Sequence, residues 1–372
     1  MRITRLETIH LKPRWLIVKV HTDRGLIGLG EPTLEGRCQT VESAIREMGR
    51  WLVGQDPRRI EHLWQHLYRG GFYRGGPVLC SALSGLEMAL WDILGKHLKA
   101  PVHQLLGGAV REKIRMYRWT PLPKDAKTLR KTAADLKRAK FTAYKLALVE
   151  ATRLIESPAA LLGAVAAFGR LRAKVDLKVD LALDFHGRTT PAVARKLARM
   201  LEPYHPMFIE EPVLPHDADG LREVAASTSI PIAAGERLMT RWQFAELIEK
   251  RAVAVVQPDV SHVGGIFEAR KVAALAEPKG IAVAPHCPLG PVALAACLQL
   301  DACTPNFLIQ EHVTLGADYL KQPFVLRDGY LPVPQGPGLG IELDEKKVAA
   351  GRFEGNWDTP KLALEDGSFA EW

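Results

Sequence analysis

The chain has 372 residues, 47% of them hydrophobic and 25% charged, and a formal net charge of +8 at pH 7. That length favours two structural units over a single core, and that balance excludes a chain dominated by disorder. Lys and Arg are spread without a basic tract and no nucleic-acid motif is present, so the positive balance implies no nucleic-acid partner, and at most attracts an anionic substrate.

Taken in chain order, the amino-terminal stretch Met1-Arg2-Ile3-Thr4-Arg5-Leu6-Glu7 lacks an apolar signal core. Residues 16–21 form a β-rich run, Asp23-Arg24-Gly25 a turn and residues 26–30 a second run, which together predict a hairpin. Helical patterns fill 41–52, 59–68 and 79–94. Between the last two lies Arg69-Gly70-Gly71-Phe72-Tyr73-Arg74-Gly75-Gly76. Such a loop is either a lid over an anion, with Arg74 as the candidate substrate contact, or a plain connection between helices.

From residue 113 short apolar runs alternate with Ala/Leu/Arg-rich helical stretches. Strand candidates fall at 114–119, 143–148, 181–186, 208–212, 232–237, 254–259, 282–286 and 308–312. Strands alternating with helices imply parallel pairing and an α/β fold. Eight such units predict a closed TIM-type barrel with its site at the C-terminal ends of the strands. After residue 313 the alternation stops, and the tail, which includes Gly336-Pro337-Gly338-Leu339-Gly340, is expected to return to the first unit. The expected plan is an α+β capping domain over 1–112, completed by 325–372, and a barrel over 113–324.

The longest apolar stretch, 158–169, is too short to span a bilayer, so no membrane partner is expected. The five cysteines, Cys38, Cys80, Cys287, Cys297 and Cys303, are odd in number and form no C-x-x-C pair. That argues against a disulfide framework and a structural zinc site, and fits a cytoplasmic protein.

Polar residues recur at the strand ends. Asp184 and His186 end the third strand, Glu210 and Glu211 the fourth, Glu236 the fifth, Asp259 the sixth, His286 the seventh and Glu311 the eighth. Asp184, Glu210 and Glu236 recur at equal intervals of about one βα unit, which predicts three carboxylates at one height on adjacent strands. A single acidic strand end is ordinarily a salt bridge to the next helix. Three at one height raise each other's pKa unless a cation compensates them, and hard oxygen donors suit Mg²⁺. Glu210 and Glu211 are neighbours and face opposite ways, whereas Asp184 and His186 are two apart and face the same way. Asp259 lies on the strand beside His286, where a carboxylate either orients and strengthens a basic imidazole or merely ties two strands together. Strands three and seven of an eight-stranded barrel are opposite each other, so His186 and His286 face one another as an acid and a base would.

With these residues in place, the chain resembles the mandelate racemase branch of the enolase superfamily over nearly its whole length, apart from about 147–177 and 318–334. The resemblance is carried by Gly30-Glu31-Pro32, Gly71-Phe72-Tyr73-Arg74-Gly75-Gly76, Asp184-Phe185-His186-Gly187-Arg188, Glu210-Glu211-Pro212, Ala234-Gly235-Glu236-Arg237, Gln257-Pro258-Asp259-Val260-Ser261-His262 and Pro285-His286-Cys287-Pro288-Leu289-Gly290-Pro291. It implies a (β/α)₇β barrel under an α+β capping domain, in a homo-oligomer. It implies one Mg²⁺ per subunit on Asp184, Glu210 and Glu236, with His286 as base supported by Asp259. His186 would be the general acid, Glu311 the stabiliser of the intermediate, and Lys145 and Arg74 substrate contacts. The implied activity is a hydro-lyase that removes the proton next to the carboxylate of an acid sugar and expels the 3-hydroxyl. D-galactonate is the first candidate, giving 2-dehydro-3-deoxy-D-galactonate and water. Dehydration of another aldonate, racemisation or epimerisation, and non-catalytic sugar-acid binding follow in that order. Many relatives carry Lys-x-Lys at the end of the second strand. Here it reads Tyr144-Lys145-Leu146-Ala147, so the second Lys is absent, and Ala147 stands where galactonate-acting relatives have Asn.

Overall fold

Three antiparallel strands open the fold: β1 (Ile3–Leu11), β2 (Trp15–Thr22) and β3 (Ile27–Gly30). They belong to a computed structural model that describes residues 1–123 and 125–372. The predicted hairpin is β2–β3. β1 escaped sequence reading because Arg5, Glu7 and His10 break up its apolar pattern, leaving only Ile3, Ile9 and Leu11 buried.

Three helices back this sheet, Cys38–Leu52, Ile60–Arg69 and Gly76–Leu98. The last starts earlier and runs further than its pattern predicted, with Pro77 in its first turn and Lys99 in the left-handed region closing it. It is long and apolar enough to cross a membrane, but 78% of its apolar window is buried inside the protein. β3 lies directly on its backbone. A Cβ on Gly28 would stand 2.0 Å from the Ala89 carbonyl oxygen, and one on Gly30 only 1.8 Å from that of Gly85. The sheet therefore sits as close to the helix as two bare backbones allow, and this sets the position of the residue that follows, Glu31.

The eight remaining principal strands are β4 (Lys113–Pro121), β5 (Ala143–Ala147), β6 (Asp180–Asp184), β7 (Ile209–Glu210), β8 (Ile232–Ala234), β9 (Val255–Val256), β10 (Ala282–Val283) and β11 (Gln310–His312). They pair in parallel from β4 through β10, β11 pairs with β4, and a bridge from Val283 to Phe307 closes the ring. Helices fill each of the seven strand-to-strand connections, so the (β/α)₇β barrel with an α+β cap expected from sequence is the fold observed. Several of these helices are capped as their sequences suggest: Asp125, Ser157, Thr190 and Asp217 accept N–H groups of the first turn. Inside the barrel, Tyr117 and Phe208 pack among Ala143, Ala182 and Ala233, a filled floor beneath the site.

The tail crosses back to the first sheet. β12 (Tyr330–Pro332) pairs antiparallel with the start of β4, and the helix Glu345–Gly351 brings Glu345 to within 2.8 Å of Lys19. A last hairpin, β13 (Leu362–Ala363) and β14 (Phe369–Ala370), follows. All five cysteines are free and buried.

Gly30→Ala is expected to force the sheet off the helix and to cost about 1–3 kcal/mol, the usual range for overpacking. Chemical denaturation of the variant against wild type measures it.

Candidate active site

The regular strands stop short of most of the polar residues that matter. Asp184 ends β6 and Glu210 ends β7, and the two are direct register partners. Glu236 lies beyond the end of its strand. Glu210 pairs with Ala233, and Glu236 lies three positions further on, past a left-handed Gly235 (φ +144°). A Cβ at Gly235 would meet the Phe244 ring at 2.6 Å, so this turn requires glycine. Equal spacing thus hid a change of element, because the loop rather than the strand delivers Glu236. His186 likewise lies beyond its strand with φ +57°, where strand alternation no longer applies. It still reaches the same cavity as Asp184.

That cavity has a volume of about 660 Å³, and Lys145, Asp184, His186, Glu236, His286 and Glu311 line it. Glu236 stands between the two histidines. Its Oε1 is 3.6 Å from His186 Nε2 and its Oε2 is 3.3 Å from His286 Nε2. Burial works against its charge, but His286 and then His186 outweigh it and hold the carboxyl well below its usual range. Lys145, fully buried, is shared by two carboxylates, with Nζ 2.6 Å from Glu210 and 2.9 Å from Glu311. Gln257 Nε2 donates to the other Glu210 oxygen at 2.7 Å. Burial pushes both Asp184 and Glu210 up from the ordinary carboxylate range. Glu211 lies just past the end of β7 with φ +39° and accepts from Arg237 Nε at 2.9 Å.

The two histidines have opposite partners at Nδ1. His286 Nδ1 is 2.8 Å from Asp259 Oδ2, an acceptor, so it carries a hydrogen, and Nε2 is the nitrogen turned to the cavity, 3.3 Å from Glu236 Oε2. Burial lowers its basicity, but Glu236, Asp259 and Glu311 together raise it well above that of free imidazole. His186 Nδ1 instead receives a hydrogen bond from Arg188 Nη2 at 3.2 Å, which places the ring hydrogen on Nε2. The two rings thus differ in the way a proton acceptor and a proton donor would need to differ.

Hard oxygen donors converge here. Among the described residues no group of three or more His, Cys, Asp or Glu side chains is arranged to hold a metal ion. Asp184, Glu210 and Glu236 nevertheless share the mouth of the barrel, and Glu236 Oε2 is buried without a hydrogen-bond partner. Burial raises the other two carboxyls even with the Lys145 ammonium beside Glu210. That donor set fits a Mg²⁺-like divalent cation.

Arg74 is not in the cavity wall. Its guanidinium lies 6.0 Å from the Tyr68 ring centre, and Phe72 and Tyr73 beside it are exposed. Arg14, Arg188 and Arg237 line the cavity instead. Ala147, the register partner of Asp184, lines it too. Sequence reading also passed over the work of Glu31. Its buried carboxylate accepts the backbone N–H groups of Gly290 (2.6 Å), Val292 (3.1 Å) and Ala293 (3.0 Å). It thereby caps the helix Pro291–Cys303 from another domain, and it holds the loop that carries His286. Burial pushes this carboxyl up to about 7. Arg14 grips the same loop through the Pro288 carbonyl at 3.0 Å. The only sequence signal was the acid in Gly30-Glu31-Pro32 straight after an apolar strand.

Residues 4–107 match the model of the mandelate racemase/muconate lactonizing enzyme N-terminal domain, and residues 128–347 that of the enolase C-terminal domain-like family. The chain is 48% identical over 383 residues to a D-galactonate dehydratase of Ralstonia nicotianae, covering 100% of both chains. It is 46% identical over 384 residues to a D-galactonate dehydratase of Cronobacter sakazakii, again over 100% of both. Among solved structures it resembles an enolase of Agrobacterium radiobacter bound to Na and L-malate, with a TM-score of 0.94 and 31% identity over 100% of each chain. It also resembles a mandelate racemase/muconate lactonizing enzyme of a Sulfitobacter species, with a TM-score of 0.89 and 33% identity over 97% of this chain and 99% of that one.

Glu31→Ala is expected to leave three buried N–H groups without an acceptor and to cost about 2–4 kcal/mol. Glu31→Gln, which keeps one acceptor oxygen, is expected to recover part of it. Thermal unfolding of the two variants measures both.

Proposed function

The chain belongs to the mandelate racemase/muconate lactonizing enzyme branch of the enolase superfamily, and on that footing we propose that it converts D-galactonate to 2-dehydro-3-deoxy-D-galactonate and water. The coarser statement, a hydro-lyase acting on an acid sugar, follows from its full-length similarity to D-galactonate dehydratases. The observation that supports the chemistry is the opposite Nδ1 pairing of the two histidines.

In this reading His286 Nε2 takes the proton next to the substrate carboxylate, and Asp259 stabilises the imidazolium that forms. The Lys145 ammonium and Glu311 lie where negative charge develops at the carboxylate end, the first as a fixed cation and the second as a hydrogen-bonding partner. His186 gives its Nε2 proton to the departing 3-hydroxyl. The resulting enol tautomerises to the 2-keto-3-deoxy acid. Asp184, Glu210 and Glu236 would hold one Mg²⁺ per subunit. When bound there it would balance the three carboxylates and polarise the substrate carboxylate, making the neighbouring proton more acidic. A second reading, dehydration of another aldonate by the same groups, is favoured by Ala147, whose methyl group brings no polar contact to the cavity wall beside Asp184.

His286→Asn is expected to abolish both dehydration and exchange of the 2-proton with solvent. His186→Asn is expected to lose dehydration by about 10² to 10⁴, the usual worth of a general acid, yet to recover on a 3-fluoro analogue, since fluoride departs without full protonation. Steady-state rates on both substrates, with exchange followed by NMR, test the pair of assignments. Equal loss on both substrates in His186→Asn contradicts the acid role.

Activity is expected to vanish in excess chelator and return with Mg²⁺. Glu236→Gln is expected to keep its fold by circular dichroism and to lose Mg²⁺ binding in calorimetry. Full activity in chelator contradicts the metal assignment.

A further inference from the structure

Beyond the helix Glu345–Gly351 the tail runs across the capping sheet to the cavity. Phe353 N donates to the His10 carbonyl at 3.2 Å, and Gln39 Nε2 to that of Glu354 at 2.8 Å. The Arg14 guanidinium lies 4.9 Å from the Trp357 ring centre. The β13–β14 hairpin then meets the loop after β5, where Glu365 is 3.5 Å from Arg153. This path sets Trp372 in the cavity wall beside Asp184, His186 and Arg188. Its indole meets the His186 imidazole edge to face, with centroids 5.4 Å apart and planes at 81°.

The two histidines are held very differently. The His286 side chain is 11% exposed and fixed by Asp259 at 2.8 Å. That of His186 is 25% exposed, on a left-handed residue followed by a left-handed glycine, and its only hydrogen-bonded side-chain partner among the described residues is Arg188 at 3.2 Å. A ring so loosely tied needs a packing surface to keep one nitrogen aimed into the cavity. Trp372 supplies that surface, and an edge-to-face pair is stiff enough to select an orientation.

We propose that Trp372 is a positioning residue for His186: its indole holds the imidazole with Nε2 turned into the cavity. The proposal rests on His186 being the general acid. Its effect is therefore confined to substrates whose leaving group needs a proton, and it acts through His186 alone.

The experiment is a double-mutant cycle on the full chain, with Trp372→Ala and Trp372→Phe in wild-type and His186→Asn backgrounds, assayed on the 3-hydroxy and 3-fluoro substrates. Thermal unfolding checks each variant for its fold. In the wild-type background Trp372→Ala is expected to lower kcat on the 3-hydroxy substrate by about three- to ten-fold, the range an aromatic pair of this geometry supports. It is expected to leave the 3-fluoro substrate nearly unchanged, and Trp372→Phe to restore most of the loss. In the His186→Asn background Trp372→Ala is expected to change nothing further. Equal losses on both substrates, or the same fold loss with His186 already removed, overturn the proposal and make Trp372 a general wall of the cavity. If His186→Asn itself depresses both substrates alike, the acid assignment fails and takes this proposal with it.

Discussion

Buried negative charge is the constraint on which the rest of this structure depends. Asp184, Glu210, Glu211, Glu236, Asp259 and Glu311 are all buried at one end of the barrel. Like charges out of water must be paired, neutralised or bound by a cation. The protein distributes them: Lys145 is shared by Glu210 and Glu311, Arg237 takes Glu211, and Glu236 lies between His186 and His286. The outcome is uneven. Histidine neighbours hold Glu236 below its usual range, while burial drives Asp184 and Glu210 upward. An incomplete balance among hard oxygen donors is the electrostatic basis for the proposed cation site.

The same arrangement explains why two chemically identical side chains take different parts. An imidazole is a donor at one nitrogen and an acceptor at the other, and whatever faces Nδ1 decides which. In the proposed mechanism the Asp259 contact suits His286 to act as the base and the Arg188 contact suits His186 to act as the acid. The capping domain takes part from a distance. Glu31 and Arg14 fix the loop carrying His286, so the sheet that rests on Gly85 and Ala89 also sets the height of the base. Cap and barrel are in this sense one device, and the close backbone packing behind β3 supports the chemistry in front of it.

Much of this was legible from the residues alone, for physical reasons. Each barrel strand is a short apolar run ended by a polar or turn-forming residue, so all eight stood out. The polar ends, from Asp184 to Glu311, were conspicuous because acids and histidines rarely terminate buried strands without cause. What stayed hidden depends on partners far apart in sequence. Glu31 meets residues more than 250 positions away, and Trp372 meets His186 across most of the barrel domain. Neither leaves a local pattern. Arg74 came from a Gly/Arg-rich loop that reads equally as an anion clasp or a plain connection, and its guanidinium lies 6.0 Å from the Tyr68 ring centre, outside the cavity lining. Equal spacing along the chain also concealed the glycine turn at Gly235 that carries Glu236 off the strand.

The central claim is that the two histidines remove a proton and a hydroxyl from adjacent carbons, rather than moving one proton between faces of a single carbon. Running the reaction on D-galactonate in D₂O with Mg²⁺ and following it by NMR separates these directly. The account predicts a 2-keto-3-deoxy acid carrying deuterium at carbon 3, with water released. Recovery of a carbon-2 epimer labelled at carbon 2, with no keto acid, contradicts it.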